Sequence, residues 1–196
     1  MKKTGNKYSN LDTIKINPSL KNFQEDPVCE ALRFDIIING DVVGSYVDFF
    51  AFLHSKWNFM AEWWGNDVPQ NERPLFSSFE PFTCSCGVSG CAGIFQGISS
   101  KHRKHTVEWT IPVDAGYEKL LKKRFYRFDT ALYEMELANV VKWMMENKDK
   151  TVFYGDDDEQ TVGRIIEDHI TSSYPDVEEV KRNKWVWLKG LIEKYC

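Results

Sequence analysis

Three cysteines fall within eight residues, Cys84, Cys86 and Cys91, in the segment Phe82-Thr83-Cys84-Ser85-Cys86-Gly87-Val88-Ser89-Gly90-Cys91-Ala92-Gly93. Thiols this close can ligate a soft metal, cross-link, or pack as small hydrophobes in a tight turn. Tetrahedral zinc would need a fourth ligand, for which His102 and His105 are the candidates and Cys29 a more remote one. The Cys-x-Cys spacing departs from the Cys-x2-Cys of common zinc knuckles, and on extended backbone it sends the two sulfurs to opposite sides. Gly87, Gly90 and Gly93 would let the chain fold around an ion, but they suit a plain turn equally well. Zinc, the one cofactor the sequence suggests, and a turn of buried thiols therefore both stay open. Thiol catalysis would require a base and an orienting group, and the histidines at 54, 102, 105 and 169 lie in no cysteine-enzyme motif. No catalytic residue can be named.

The second chemical feature is charge. Residues 101 to 127 hold eight Lys or Arg against Glu108, Asp114 and Glu118, a local balance of +5, although the whole chain carries −4. Lys101, Arg103 and Lys104, with Lys122, Lys123 and Arg124, are candidate anion-binding residues, and Trp109, Phe125 and Tyr126 are interleaved with the run. RNA, DNA or a nucleotide is one reading, and a solvated face is the other. A sequence pI near 5.6 excludes a generally basic nucleic-acid binder but is too mild for a polyanion that imitates DNA. The acidic run Asp156-Asp157-Asp158-Glu159 lacks the alternating ligands and central glycine of a calcium loop, and suits the start of a helix.

The elements that must position these groups follow from periodicity and punctuation. Residues 1–30 mix polar and scattered apolar positions, broken by Pro18 and Pro27, and are expected to form a loosely tethered arm. Residues 31–196 are expected to form a single α+β domain, an antiparallel sheet with packed helices. Arg33 to Ile38, Asn39-Gly40 and Val42-Val43 predict a hairpin. Ser45-x-x-Asp48 resembles a capping box before a helix from Phe49 to Trp64, whose apolar stripe Lys56 interrupts by laying its stem on the core while its ammonium reaches water. Prolines at 69, 74 and 81 mark a long connection to the cysteines, followed by strands at Ala92–Ile98 and Thr106–Ile111. A short helix at Tyr117–Arg124, a strand at Phe125–Phe128 and a helix to about Asn147, capped by Asp129 or Thr130, come next; Leu132, Met135, Ala138 and Met144 or Met145 should be among its inward residues. The remaining expectations are a strand at Thr151–Tyr154, a helix at Asp157–Ile170 and a terminal element at Lys184–Tyr195 of either type.

From Cys84 onward the chain resembles a group of small bacterial and phage-type proteins with a Cys-x-Cys-Gly-x-x-Gly-Cys-x-Gly turn, a strand ending in Trp, and an aromatic-Asp start to a helix carrying Tyr. Cys84, Cys86, Gly87, Gly90, Cys91 and Gly93, then Trp109, Phe128, Asp129 and Tyr133 carry the likeness, which covers residues 82 to about 145. It implies no activity and no catalytic residue. No apolar run is long enough for a membrane span and no secretion signal opens the chain, so a cytoplasmic location without membrane contact is expected. The expected function is non-enzymatic binding through a surface rather than a pocket, by an accessory or inhibitor protein of a phage or mobile element with another protein as partner. Nucleic acid is the second choice of partner, and a zinc- or thiol-dependent enzyme acting on a small substrate or nucleic acid is the alternative function.

Overall fold

The computed structural model describes residues 11–23, 26–45, 47–64, 78–84, 89–153, 159–171 and 178–196. The architecture grows from the predicted hairpin. Asn39 and Gly40 take φ of 53° and 87°, the paired positive values of a tight turn between twisted strands. On either side lie β2, Asp26–Ile38, and β3, Asp41–Gly44. The expected loose arm is corrected over its described part: Ile14–Phe23 form β1, antiparallel to β2 from Ile14 opposite Ile38 to Asn22 opposite Glu30. Ile14 and Ile16 alternate into the core, and Pro18 is tolerated because β1 borders the sheet on one side only.

Helix α1, Phe49–Trp64, starts where expected, but Asp48 rather than Ser45 caps it. The Asp48 carboxylate accepts the N–H groups of Phe50 at 2.9 Å and Ala51 at 3.4 Å. Lys56 does not send its ammonium to water: Nζ lies 3.1 Å from Glu134 Oε1, with both side chains largely covered.

A second sheet runs in the order β4, Ser78–Phe79; β5, Ile98–His102; β6, Thr106–Thr110; and β7, Phe125–Asp129, all antiparallel. Two expectations shift here. The strand expected at Ala92–Ile98 starts only at Ile98, because Gly90–Ala92 wind into a single 3-10 turn that ends on Gly93 at φ 77°. The helix expected at Tyr117–Arg124 is a 3-10 turn of Tyr117–Lys119. Gly116 before it has φ 92°, and a Cβ there would sit 1.9 Å from the Gly93 carbonyl oxygen, so only glycine lets these two turns touch.

Helix α2, Thr130–Glu146, is capped by Asp129, which accepts from Ala131 N at 2.8 Å and Leu132 N at 3.1 Å. It buries Tyr133, Leu137, Ala138, Val140, Val141 and Met144, so Ala138 and Met144 are inward as expected, whereas Met135 is half-buried and Leu132 is 53% exposed. Strands β8, Thr151–Phe153, and β9, Glu159–Thr161, extend the first sheet, β8 running parallel to β2. The helix expected from Asp157 begins later, as α3 at Val162–Thr171, with the Thr161 hydroxyl accepting the Arg164 N–H at 3.2 Å. The terminal element is helix α4, Glu178–Tyr195.

The result is an α+β fold with one continuous core between the two sheets and the helices. Phe52 occupies its centre, fully buried, with ring centroids 5.3 Å from Phe79, 5.8 Å from Trp109 and 6.4 Å from Tyr133. Replacing Phe52 by Ala is expected to cost about 3–5 kcal/mol, measured as a shift of the urea unfolding midpoint. A loss below about 1 kcal/mol would contradict this packing.

Candidate binding surface

The cysteine cluster is only partly in view. Cys84 is half-buried, Cys91 is exposed in the 3-10 turn, Cys86 lies outside the described residues, and Cys29 falls in β2 with its side chain outside the description. The two candidate histidines are at the other end of β5 from that turn. His105 is exposed in the β5–β6 connection. His102 faces inward, 4% exposed, with Nε2 3.2 Å from Ser100 Oγ and 3.5 Å from Ser55 Oγ. Burial, with the Lys56 charge nearby, holds its pKa at about 3, so the ring is neutral. Among the described residues no group of three His, Cys, Asp or Glu is placed to hold a metal.

Ser55, Ser100 and His102 form a constellation that the sequence reading missed. A hydroxyl beside an imidazole can act as nucleophile and base. Here all three are buried at 0–4% exposure, so the trio serves as a polar seam between α1 and β5. The signal that could have found it is the outward–inward alternation of Ile98 to His102, which points Ser100 and His102 to the same side.

The six candidate anion-binding residues fall into two groups. Thr106 pairs with Asp129 and Thr110 with Phe125, so Arg103 and Lys104 lie at one end of the β6–β7 ladder and Lys122, Lys123 and Arg124 at the other. A five-residue strand separates the groups by about 14 Å. Three of the cations are also engaged: Lys122 Nζ is 2.5 Å from Asp41, Lys123 Nζ is 2.5 Å from Asp12, and Arg103 Nε is 3.0 Å from Glu108. Lys101, Lys104 and Arg124 make no ion pair among the described residues. The sequence charge of this stretch therefore overstates the field that an anion would meet.

At the second end the structure assembles a different surface. Ser99, Thr110 and Phe125 stand in one cross-strand row, so the start of β5, the end of β6 and the start of β7 are neighbours. The Phe95 N–H donates to the Ala115 carbonyl at 3.2 Å, and the Ile111 N–H to the Arg124 carbonyl at 2.9 Å. These bonds bring the loops carrying Phe95 and Val113 to that same end. Phe95, Val113 and Phe125 are 74%, 54% and 46% exposed, large apolar side chains on segments that these bonds join at that end of the sheet. Arg127, outward on β7, holds its guanidinium 5.6 Å from the Phe125 ring centroid and 3.2 Å from Glu108. The Tyr117 hydroxyl donates to the Gln96 carbonyl at 2.8 Å and ties the 3-10 turn to the loop that carries Phe95.

Away from this surface, His169 of α3 lies flat on Phe50 of α1 at 3.8 Å between ring centroids, and His54 meets His169 edge-on at 5.8 Å. Lys184 of α4, 2% exposed, adds its charge to the same region. Burial, then the charges of His169 and Lys184, holds His54 at about 4; burial holds His169 at about 4 against the opposing pull of Asp168.

No family model matches the chain, and no curated protein or solved structure is significantly similar to it.

The neutral histidines make stability depend on pH. In the unfolded chain they take up protons near the ordinary 6.5, whereas in the folded chain they do so only near 3 to 4. Their contribution is complete above about pH 6.5 and is lost as pH falls toward 4. The urea midpoint is expected to hold between pH 7.5 and about 6.5 and to drop from there to pH 5, and to drop less in a His54→Phe, His169→Phe double variant. A flat midpoint over that range would show that these rings are solvated.

Proposed function

We propose that this chain is a non-enzymatic binding protein whose interface is centred on Phe95, Val113 and Phe125 and rimmed by Lys122, Arg124 and Arg127. Three exposed apolar side chains on separate segments that backbone hydrogen bonds join at one end of the sheet support this reading. Aromatic and arginine side chains on a pre-organised base are the usual anchors of protein interfaces, because they bury large area at low entropic cost. The partner is another protein, with an apolar centre and acidic residues opposite the basic rim. The exposed Lys122–Asp41 pair can open to a partner carboxylate at little cost.

The likeness of the cysteine turn to phage-type proteins supports an accessory or inhibitor role. The alternative of a zinc- or thiol-dependent enzyme draws support from the cysteine spacing alone. Nucleic acid is the less favoured partner, because the cations expected to bind it are split between two ends of the sheet and half of them are paired with acids.

A photo-crosslinking amino acid at position 95 is expected to capture a protein partner in cells, with the same substitution at Lys15 as control. Against that partner after purification, Phe125→Asp and Arg127→Ala should each weaken binding about tenfold or more, roughly 1.4 kcal/mol, with unchanged circular dichroism. Crosslinks to nucleic acid alone, or full affinity in Phe125→Asp, would sink the proposal.

A further inference from the structure

A groove of about 390 Å³ opens where the start of β1, the end of β7 and the first turns of α2 meet. It is on a different part of the molecule from the surface described above, and its volume lies in the range of small-ligand sites, roughly 300–1,000 Å³. Ile14, Ile37, Phe128 and Met135 provide apolar walls. Leu132, 53% exposed, leans over them from α2, although the helix buries its neighbours Tyr133 and Leu137. A leucine left uncovered beside an apolar groove is what an apolar ligand would bury.

The polar groups choose among ligands. The lining holds three carboxylates, Asp12, Asp129 and Glu136, against one ammonium, Lys15. Asp12 is spent, since it accepts from Lys123, Asn39 and the Arg127 N–H. Asp129 uses Oδ1 on the helix cap, and Glu136 uses Oε2 on the Ile16 N–H at 3.2 Å, so each keeps its other oxygen for a ligand. Asp129, Leu132 and Glu136 recur at steps of three and four, which puts them on one face of α2 with the carboxylates about 10 Å apart along the axis and the leucine between them.

We propose that this groove binds a linear aliphatic diammonium ligand of the polyamine class. One ammonium hydrogen-bonds Asp129 and the other Glu136, while the methylene chain between them covers Leu132 and the apolar walls. A chain of about eight to nine bonds spans that separation, at roughly 1.25 Å per bond, the projected advance of extended tetrahedral geometry derived from ~1.5 Å bonds. Lys15, the one cation of the lining, repels a cationic ligand, so its removal is expected to tighten binding.

The test is isothermal titration of the full chain with 1,8-diaminooctane and with octylamine. Binding of the diamine is expected to weaken at least fivefold in Glu136→Gln, which can still accept the Ile16 N–H, and at least threefold in Leu132→Ser. It should tighten about twofold in Lys15→Gln, and octylamine should bind at least fivefold more weakly than the diamine. Heat unfolding of each variant checks that the fold is intact. No saturable binding, equal binding of the two amines, or an affinity indifferent to Glu136→Gln would overturn the proposal.

Discussion

Asp12 is a point at which the two sheets are tied together. Its backbone N–H donates to the Arg127 carbonyl at 2.7 Å and its Oδ2 accepts the Arg127 N–H at 3.0 Å, so a single residue lies alongside β7 as a strand would. Its Oδ1 accepts Asn39 Nδ2 at 2.7 Å and Lys123 Nζ at 2.5 Å. Asn39 in turn accepts the Thr13 N–H at 2.9 Å and donates its own N–H to the Thr13 carbonyl. One carboxylate therefore ties the β2–β3 turn, the start of β1, the edge of β7 and the loop before β7. Burial alone would raise its pKa, but the bonds from Lys123, Arg127 and Asn39 prevail and hold it below the ordinary 3.8. Hydrogen bonds to an ionised acceptor are the stronger kind, and their loss leaves several donors without a partner.

Both surfaces inherit their shape from this junction. The groove lies directly beside Asp12, between elements that the carboxylate joins. The apolar surface at the other end of β7 depends on the same strand and on Lys123, which anchors the loop that delivers Phe125. Glu134 does a similar service for the helices, pairing with Lys56 of α1 at 3.1 Å and Lys194 of α4 at 3.7 Å. Largely covered carboxylates thus fix the geometry around an aromatic core that by itself would leave the relative placement of its layers looser.

Local signals were legible in the sequence, and long-range ones were not. Asn39-Gly40, the aromatic run of α1 and Asp129 as a cap each act within a few residues, and each is where expected. Strand β1 was hidden because Pro18 and the polar residues around it look like linker, and only the partner strand β2 shows why Ile14 and Ile16 are needed. The basic run was visible as composition, but acids distant in sequence decide its meaning: Asp12 and Asp41 claim Lys123 and Lys122 across 111 and 81 residues. Phe95 and Val113 could not be joined to Phe125 without knowing that β5, β6 and β7 are neighbours.

The most direct test of the junction is native-state hydrogen exchange on an Asp12→Ala variant. Removal of the carboxylate is expected to lower stability by about 2–3 kcal/mol, and to lose amide protection at Arg127, Thr13 and Asn39 together, while the buried amides of α2 keep theirs relative to global unfolding. Unchanged protection at Arg127 and Thr13 in that variant would contradict the account, because it would mean that the two sheets hold each other without Asp12.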